Sequence, residues 1–215
     1  MNQPDSSAPA APSSPSSPSP AAALERLLEG NRRFAAGRPS RPHQSVSHRH
    51  LLEQGQRPFA AVLGCSDSRA SVELLLDQGF GDVFVIRNAG HVLSPGGSAL
   101  ASLEYAVAEL GVQAVLLLGH ESCGAVAATV AHLRSGGELP GSMPILVERT
   151  EGHLDPAAPE DRAVERHVAG TVRDLLAASE IVAEAVGAGR LVVAGGVYGL
   201  HDGIVRLIDA EAFES

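Results

Sequence analysis

The chain is short of cysteine, of aromatic side chains and of positive charge, and each shortage narrows what it can be. Two cysteines among 215 residues allow one disulfide at most, which excludes a small secreted scaffold held together by bridges. Only 16 Lys and Arg stand against 25 Asp and Glu, a formal net charge of −9. With no basic patch to neutralise phosphates, neither nucleic acid nor an anionic membrane surface is an expected partner. Long apolar runs are missing too: a stretch such as Ala114–Leu118 falls far short of the ~20 residues that a bilayer span needs. No basic segment followed by an apolar one opens the chain, so a cytoplasmic location is expected rather than secretion. What is present is 44% apolar residues over a length suited to one domain with a tail.

Residues 1–20 contain six Pro and seven Ser, with Ala in most of the gaps and no apolar side chain larger than Ala after Met1. Such a stretch buries too little surface to offset its ordering entropy and reads as a disordered tail. From Ala21 the pattern changes. Leu24, Leu27 and Leu28, with Phe34 and a stop at Gly37, outline an amphipathic N-terminal helix. His43, His48 and His50 follow in an irregular, Pro-containing segment. No acid or cysteine accompanies them there, so a metal role is not expected of this cluster.

Four apolar strands follow: Phe59–Gly64, Val83–Arg87, Ala114–Gly119 and Leu191–Val197. Helical spacings lie between them, with Leu100, Leu103, Val107 and Leu110 after a candidate Ser98 cap, then Val164, Val168, Val172, Leu175 and Leu176. Apolar strands alternating with amphipathic helices predict an α/β fold with a mostly parallel central sheet covered on both faces. Tyr198–Leu200, a turn at His201-Asp202-Gly203 and Ile204–Ile208 predict a closing hairpin and an antiparallel edge strand.

Ligands of open parallel sheets bind beyond the carboxyl ends of strands, and both cysteines fall there. Cys65 follows the first strand within Cys-Ser-Asp-Ser-Arg, and the third runs into Gly119-His120-Glu121-Ser122-Cys123-Gly124. Two thiolates and an imidazole from adjacent strand ends make a Cys2His set, the ligand count of a catalytic zinc site with a fourth position open. Cys123 begins a helical run, and a helix N-terminus favours the thiolate form. Soft sulfur with imidazole suits zinc better than magnesium or calcium. Two blander readings stand beside this one: buried thiols acting as small hydrophobes, and a Cys65–Cys123 disulfide, which a cytoplasmic setting disfavours. Asp67 and Arg69 strengthen the metal reading, because a carboxylate so close can enter the fourth position or be held off by the guanidinium. No G-x-x-x-x-G-K and no strand-following G-x-G-x-x-G is present, which leaves a nucleotide-binding domain as the weakest alternative.

Cys65-Ser-Asp-Ser-Arg69 and Gly119-His120-x-x-Cys123-Gly124 together resemble the β-class carbonic anhydrases. The resemblance extends to Gly30-Asn31-x-x-Phe34, Arg87-Asn88-Ala89-Gly90, Ser102-Leu103-Glu104-Tyr105-Ala106, and Val197-Tyr198 with Gly203. It implies a single zinc-dependent catalytic domain over residues 21–215, with one zinc ion on Cys65, His120 and Cys123. The implied reaction is reversible hydration of carbon dioxide to bicarbonate and a proton through zinc-bound hydroxide. It further implies an Asp67–Arg69 pair, Asp67 being a fourth zinc ligand only in a closed state. Gln56 and Phe84 match positions that line the substrate pocket in plant-type members. Members are dimers or multiples of dimers with the N-terminal helix lying across the partner. Here the face of Leu24, Leu27, Leu28 and Phe34 serves that arrangement, or folds back on its own domain.

Two departures from the family pattern matter. His91 stands where Asn is usual; a solvated loop histidine is the expected reading, a proton relay at the pocket mouth the alternative. The chain has no Trp, and Val62 occupies the place where some bacterial members carry one at a regulatory bicarbonate site, so that site is expected to be absent. Rival functions on the same scaffold are hydrolysis of COS or CS2, and a non-enzymatic, bicarbonate-sensing zinc module in which Asp67 permanently fills the fourth position.

Overall fold

The computed structural model describes residues 18–158 and 162–209. Most of the Ser/Pro-rich stretch therefore lies outside the described residues. Its last residue belongs to the fold: helix α1 spans Pro20–Ala35, with the Ser19 hydroxyl accepting the Ala22 N–H at 3.3 Å. A hydroxyl N-cap followed by proline, whose missing N–H is no loss in the first turn, is a strong start signal.

The remaining helices are α2 (Val46–Leu51), α3 (Val72–Leu75), α4 (Ser98–Ala108), α5 (Gly124–Ser135), α6 (Pro144–Glu148), α7 (Ala163–Ala178) and α8 (Glu180–Gly187). The strands are β1 (Ala60–Cys65), β2 (Val83–Asn88), β3 (Ala114–His120), β4 (Val192–Tyr198) and β5 (Val205–Leu207). They form one sheet in the order β2-β1-β3-β4-β5, parallel except for the β4–β5 pair. The predicted fold is the observed one. Ser98, expected to cap α4, is its first residue instead, and Gly97 takes the cap position without a side-chain bond.

Strand alternation divides the core. Ala61, Leu63 and Cys65 of β1, with Val115 and Leu117 of β3, face α4, α5, α7 and α8. Ala60 and Val62, with Ala114, Leu116 and Leu118, face α1 and α3. Both faces of β1 and β3 are thus buried, which is why each reads as an unbroken apolar run. Leu176, expected on the apolar stripe of α7, is instead exposed at the stripe's margin.

α1 lies on its own sheet. Ala23 and Leu27 are fully buried there, and Leu24, Leu28 and Phe34 pack at the edge of the same cluster. Asn31 fixes this docking. Its amide donates to the carbonyls of Leu75 (3.0 Å) and Gly203 (2.9 Å), and its Oδ1 accepts the Val205 N–H (2.7 Å). One buried side chain thereby ties α1 to α3 and to the edge strand. Asn31→Ala leaves these backbone groups without partners, so we expect a loss of about 3 kcal/mol. That corresponds to a fall in Tm of roughly 6–12 °C for a domain of this size. A shift under about 2 °C by circular dichroism would show that the three bonds do not hold the helix.

Candidate metal centre

β1 and β3 are parallel neighbours in register from Ala60↔Ala114 to Gly64↔Leu118, so their carboxyl ends emerge together. Cys65 is the last residue of β1 and His120 the last of β3. Ser122 adopts a left-handed φ of 53°, which turns the chain so that Cys123 becomes the N-cap of α5. The two Sγ atoms are 3.9 Å apart, and the ligand atoms of Cys65, His120 and Cys123 all lie within 4.8 Å of one another. All three residues are buried. Among the described residues this is the group of His, Cys, Asp or Glu so converged.

The sulfur separation excludes the disulfide reading, since a disulfide bond is ~2.05 Å long. Two sulfurs ~2.3 Å from one tetrahedral ion stand about 3.8 Å apart, close to what is seen. The histidine tests the fit independently. His120 Nδ1–H donates to the Glu121 carbonyl at 2.9 Å, which leaves the lone pair on Nε2. That Nε2 is buried with no hydrogen-bond partner. An unpaired acceptor beside two sulfurs is what a metal ligand looks like without its ion.

The Cys65 sulfur accepts the N–H groups of Asp67 and Gly90, each at 3.4 Å. The Cys123 S–H is the largest influence on Cys65, and with these backbone donors it pulls the Cys65 thiol well below the usual range. The charge on Cys65 in turn pushes Cys123 up. Burial pulls His120 down, but the adjoining Cys65 thiolate, the Glu121 carbonyl and Asp67 outweigh it and raise its pKa.

Asp67 stands beside this set, its Oδ2 3.8 Å from His120 Nε2, but is turned to Arg69. Arg69 Nε and Nη2 donate to its two oxygens at 3.0 and 2.7 Å, and the Arg69 N–H adds a bond of 2.9 Å. These bonds, the side-chain pair foremost, hold the Asp67 carboxyl well below the usual carboxylate range. Arg69 Nη2 also reaches the Ser122 carbonyl at 3.2 Å, tying the loops after β1 and β3 together. Arg87, on β2, does further work that the sequence reading missed. Its guanidinium donates to the carbonyls of Cys65 (2.8 Å) and Asp67 (2.7 Å). The available signal was its place at the end of the strand pairing with β1.

The other predicted positions fall elsewhere. Gln56 lines a cavity of about 570 Å³ with His43, His48, Leu51 and Phe80, away from any of the three ligands. Phe84, on β2, packs against the same core as Cys65, its ring 6.0 Å from that of Tyr105. His91 is no solvated loop residue: it is fully buried, neither ring nitrogen has a partner, and desolvation keeps it neutral. The turn after β2 folds inward beneath α7, which a short Ala-Gly-His segment does not announce. Val62 is core on the opposite face. In the N-terminal cluster His43 bonds Asp82, His48 the Phe80 carbonyl and His50 Glu53. Cys123 itself borders a largely apolar groove of about 740 Å³, with Val126, Val130, Val164 and Ile208 in its walls. Among the described residues no helix is long and apolar enough to cross a membrane.

A family model described as carbonic anhydrase matches residues 60–205. Carbonic anhydrase 2 of Mycobacterium tuberculosis is 44% identical over 195 residues, 88% of this chain and 93% of its own length. A carbonic anhydrase of Mycolicibacterium smegmatis is 42% identical over 193 residues, covering 87% and 93%. Among solved structures, a tetrameric β-carbonic anhydrase of Sordaria macrospora superimposes with a TM-score of 0.67 at 28% identity, over 86% of this chain and 96% of that one. The Coccomyxa β-carbonic anhydrase, solved with acetazolamide, gives a TM-score of 0.65 at 30% identity over 86% of each chain. With a converged Cys-His-Cys set on this fold and relatives alike over nearly the whole chain, the protein belongs to the β-class carbonic anhydrase family.

Proposed function

We propose that the chain catalyses the reversible hydration of carbon dioxide to bicarbonate and a proton, with one zinc ion held by Cys65, His120 and Cys123. The observation that carries this reading is the meeting of two sulfurs with an unpartnered, buried imidazole nitrogen. When bound, zinc supplies the Lewis acidity that makes water nucleophilic near neutral pH. Cys65 and Cys123 together neutralise the charge of a dication, so they acidify water less than a set of three imidazoles does. Asp67 accepts the hydrogen bond of the nucleophile and orients its lone pair, and Arg69 keeps Asp67 from taking the fourth ligand position. The apolar walls beside Cys123 suit a small molecule without charge. Asp67 is engaged by Arg69 on both oxygens, which favours an open, enzymatic site over a sensing module closed by that carboxylate.

Relatives in this family assemble, the Sordaria enzyme as a tetramer, and we extend a homo-oligomer built on dimers to this chain. Its two free thiols accord with a reducing, cytoplasmic setting. Gln56 and Phe84 are proposed pocket residues, Gln56 reaching a site only across an interface between copies.

The test combines metal analysis with stopped-flow carbon dioxide hydration. We expect one zinc per chain and a rate that climbs between about pH 6 and about pH 9, because thiolate ligands raise the pKa of the nucleophile. Asp67, held far below the carboxylate range, stays ionised across that interval and adds no acidic limb of its own. A flat profile would refute the thiolate argument. Bound zinc with no hydration at any pH would refute the enzyme assignment, and preferential turnover of COS or CS2 would reassign the substrate.

A further inference from the structure

Behind the metal centre a line of polar groups runs from the buried His167 out to the exposed Asp174, and the reaction as described does not use it. Gly90, whose N–H donates to the Cys65 sulfur, accepts a hydrogen bond on its own carbonyl from His167 Nε2 at 2.8 Å. His167 Nδ1 is 2.9 Å from His153 Nδ1, and His153 Nε2 is 2.9 Å from Asp174 Oδ2. The face of α7 is shaped for this line. His167, Gly170 and Asp174 are spaced three and four apart, so they stack along one side of the helix. The His153 ring lies over Gly170, where a Cβ would overlap it. Glycine inside a helix is unfavourable relative to alanine, and here its effect is a seat for an imidazole.

The donor arithmetic is constrained. A carbonyl and a carboxylate only accept, so His167 Nε2 donates to Gly90 and His153 Nε2 to Asp174. Burial depresses His167 to about 4, whereas His153 touches solvent and a carboxylate that its own hydrogen bond keeps ionised. The line runs Asp174 carboxylate, His153, neutral His167, Gly90 carbonyl.

Gly90 needs such a tie. It has a left-handed φ of 73°, and His91 after it has a φ of 45°. A left-handed conformation is unfavourable for a non-glycine residue, so the turn does not hold this shape by local preference. Asn88 bonds Val92 in both directions across the turn, but His167 is the side chain that grips Gly90 itself. We propose that His167, braced by His153 and Asp174, is a positioning residue for the metal centre: it fixes the Gly90 turn so that the Gly90 N–H remains on the Cys65 sulfur. This rests on the reading of Cys65 as a metal ligand. A donor held on a ligating sulfur orients it and moderates its charge, the usual work of groups one layer behind a metal.

Zinc release from the loaded full-length chain to a chromophoric chelator tests it. His167→Leu removes the donor and should release zinc about tenfold faster, whereas His167→Gln, whose amide still reaches the Gly90 carbonyl, should stay within about twofold of the unmodified chain. Release at the unmodified rate from His167→Leu, or equally fast release from both variants, overturns the proposal. Should His167→Leu not fold, Gly170→Ala takes its place: expulsion of the His153 ring should hasten release, and an unchanged rate overturns the bracing role. Side-chain nitrogen NMR of the unmodified protein should find His167 Nε2 protonated; a bare Nε2 there overturns the bond to Gly90. An unmodified chain that takes up no zinc defeats the metal reading itself, a result distinct from zinc bound and released alike by all variants.

Discussion

Cys65→Ala should strip the chain of its metal and lower carbon dioxide hydration by at least about 10³-fold, since water without a Lewis acid is a very weak nucleophile near neutrality. The substitution leaves His120 Nε2 and the Cys123 sulfur, a pair that does not hold a tetrahedral ion closed on three sides. It also removes the acceptor for the Asp67 and Gly90 N–H groups. The loop bearing Asp67 retains its other ties, because Arg87 binds the backbone carbonyls of residues 65 and 67 and not the sulfur. The fold should therefore survive, and metal loss can be separated from unfolding by mass spectrometry of the metal content alongside circular dichroism. Stoichiometric zinc in a folded Cys65→Ala protein would exclude Cys65 as a ligand and, with it, the proposed centre. Cys123→Ala should behave alike, with the difference that Cys65 loses the neighbouring S–H that draws its pKa down.

The convergence of Cys65, His120 and Cys123 could be read before any coordinates because two apolar strands and one residue pattern agreed. β1 and β3 are buried on both faces, so they stand out as apolar runs, and the residues at their carboxyl ends are types that bind metals. The hairpin of β4 and β5 was legible from its Gly203 turn. What escaped were features that depend on which distant segments meet. Arg87 acts on the loop after β1 only because of the register that sets Gly64 against Arg87. His153 and His167 meet across a loop between α6 and α7, and nothing in their spacing reports it. His91 sits on a short polar-looking turn, yet α7 covers it. The choice of α1 between its own sheet and a partner depends on Asn31 finding the carbonyls of Leu75 and Gly203, atoms that carry no side-chain signature. Leu176 shows the limit of the helical pattern itself, which gives a stripe but not the width of the surface that covers it.

Arg69→Ala tests whether the guanidinium keeps Asp67 out of the proposed fourth position. The carboxyl of Asp67 lies within reach of the proposed ligand set, 3.8 Å from His120 Nε2, and the guanidinium draws it aside with paired hydrogen bonds beside the one from the Arg69 N–H. Without Arg69 the carboxylate becomes an anion next to a cation and should occupy the fourth position. Zinc content should stay unchanged while hydration falls about 10²-fold or more. The pH dependence separates this from a simple loss of charge. A depressed carboxyl pKa means that the ion pair's contribution is fully present above the ordinary carboxylate value and fades only as pH falls through the depressed one. Removing Arg69 lets the Asp67 pKa climb back toward its ordinary range of ~3.9, still far below assay pH, so raising the pH does not reopen the single variant. Removing the obstructing carboxylate does: Asp67→Ala combined with Arg69→Ala should be more active than Arg69→Ala alone, a coupling of opposite sign to two independent losses. If the double variant is instead the slower of the two, Arg69 acts by some means other than holding Asp67 away from the metal.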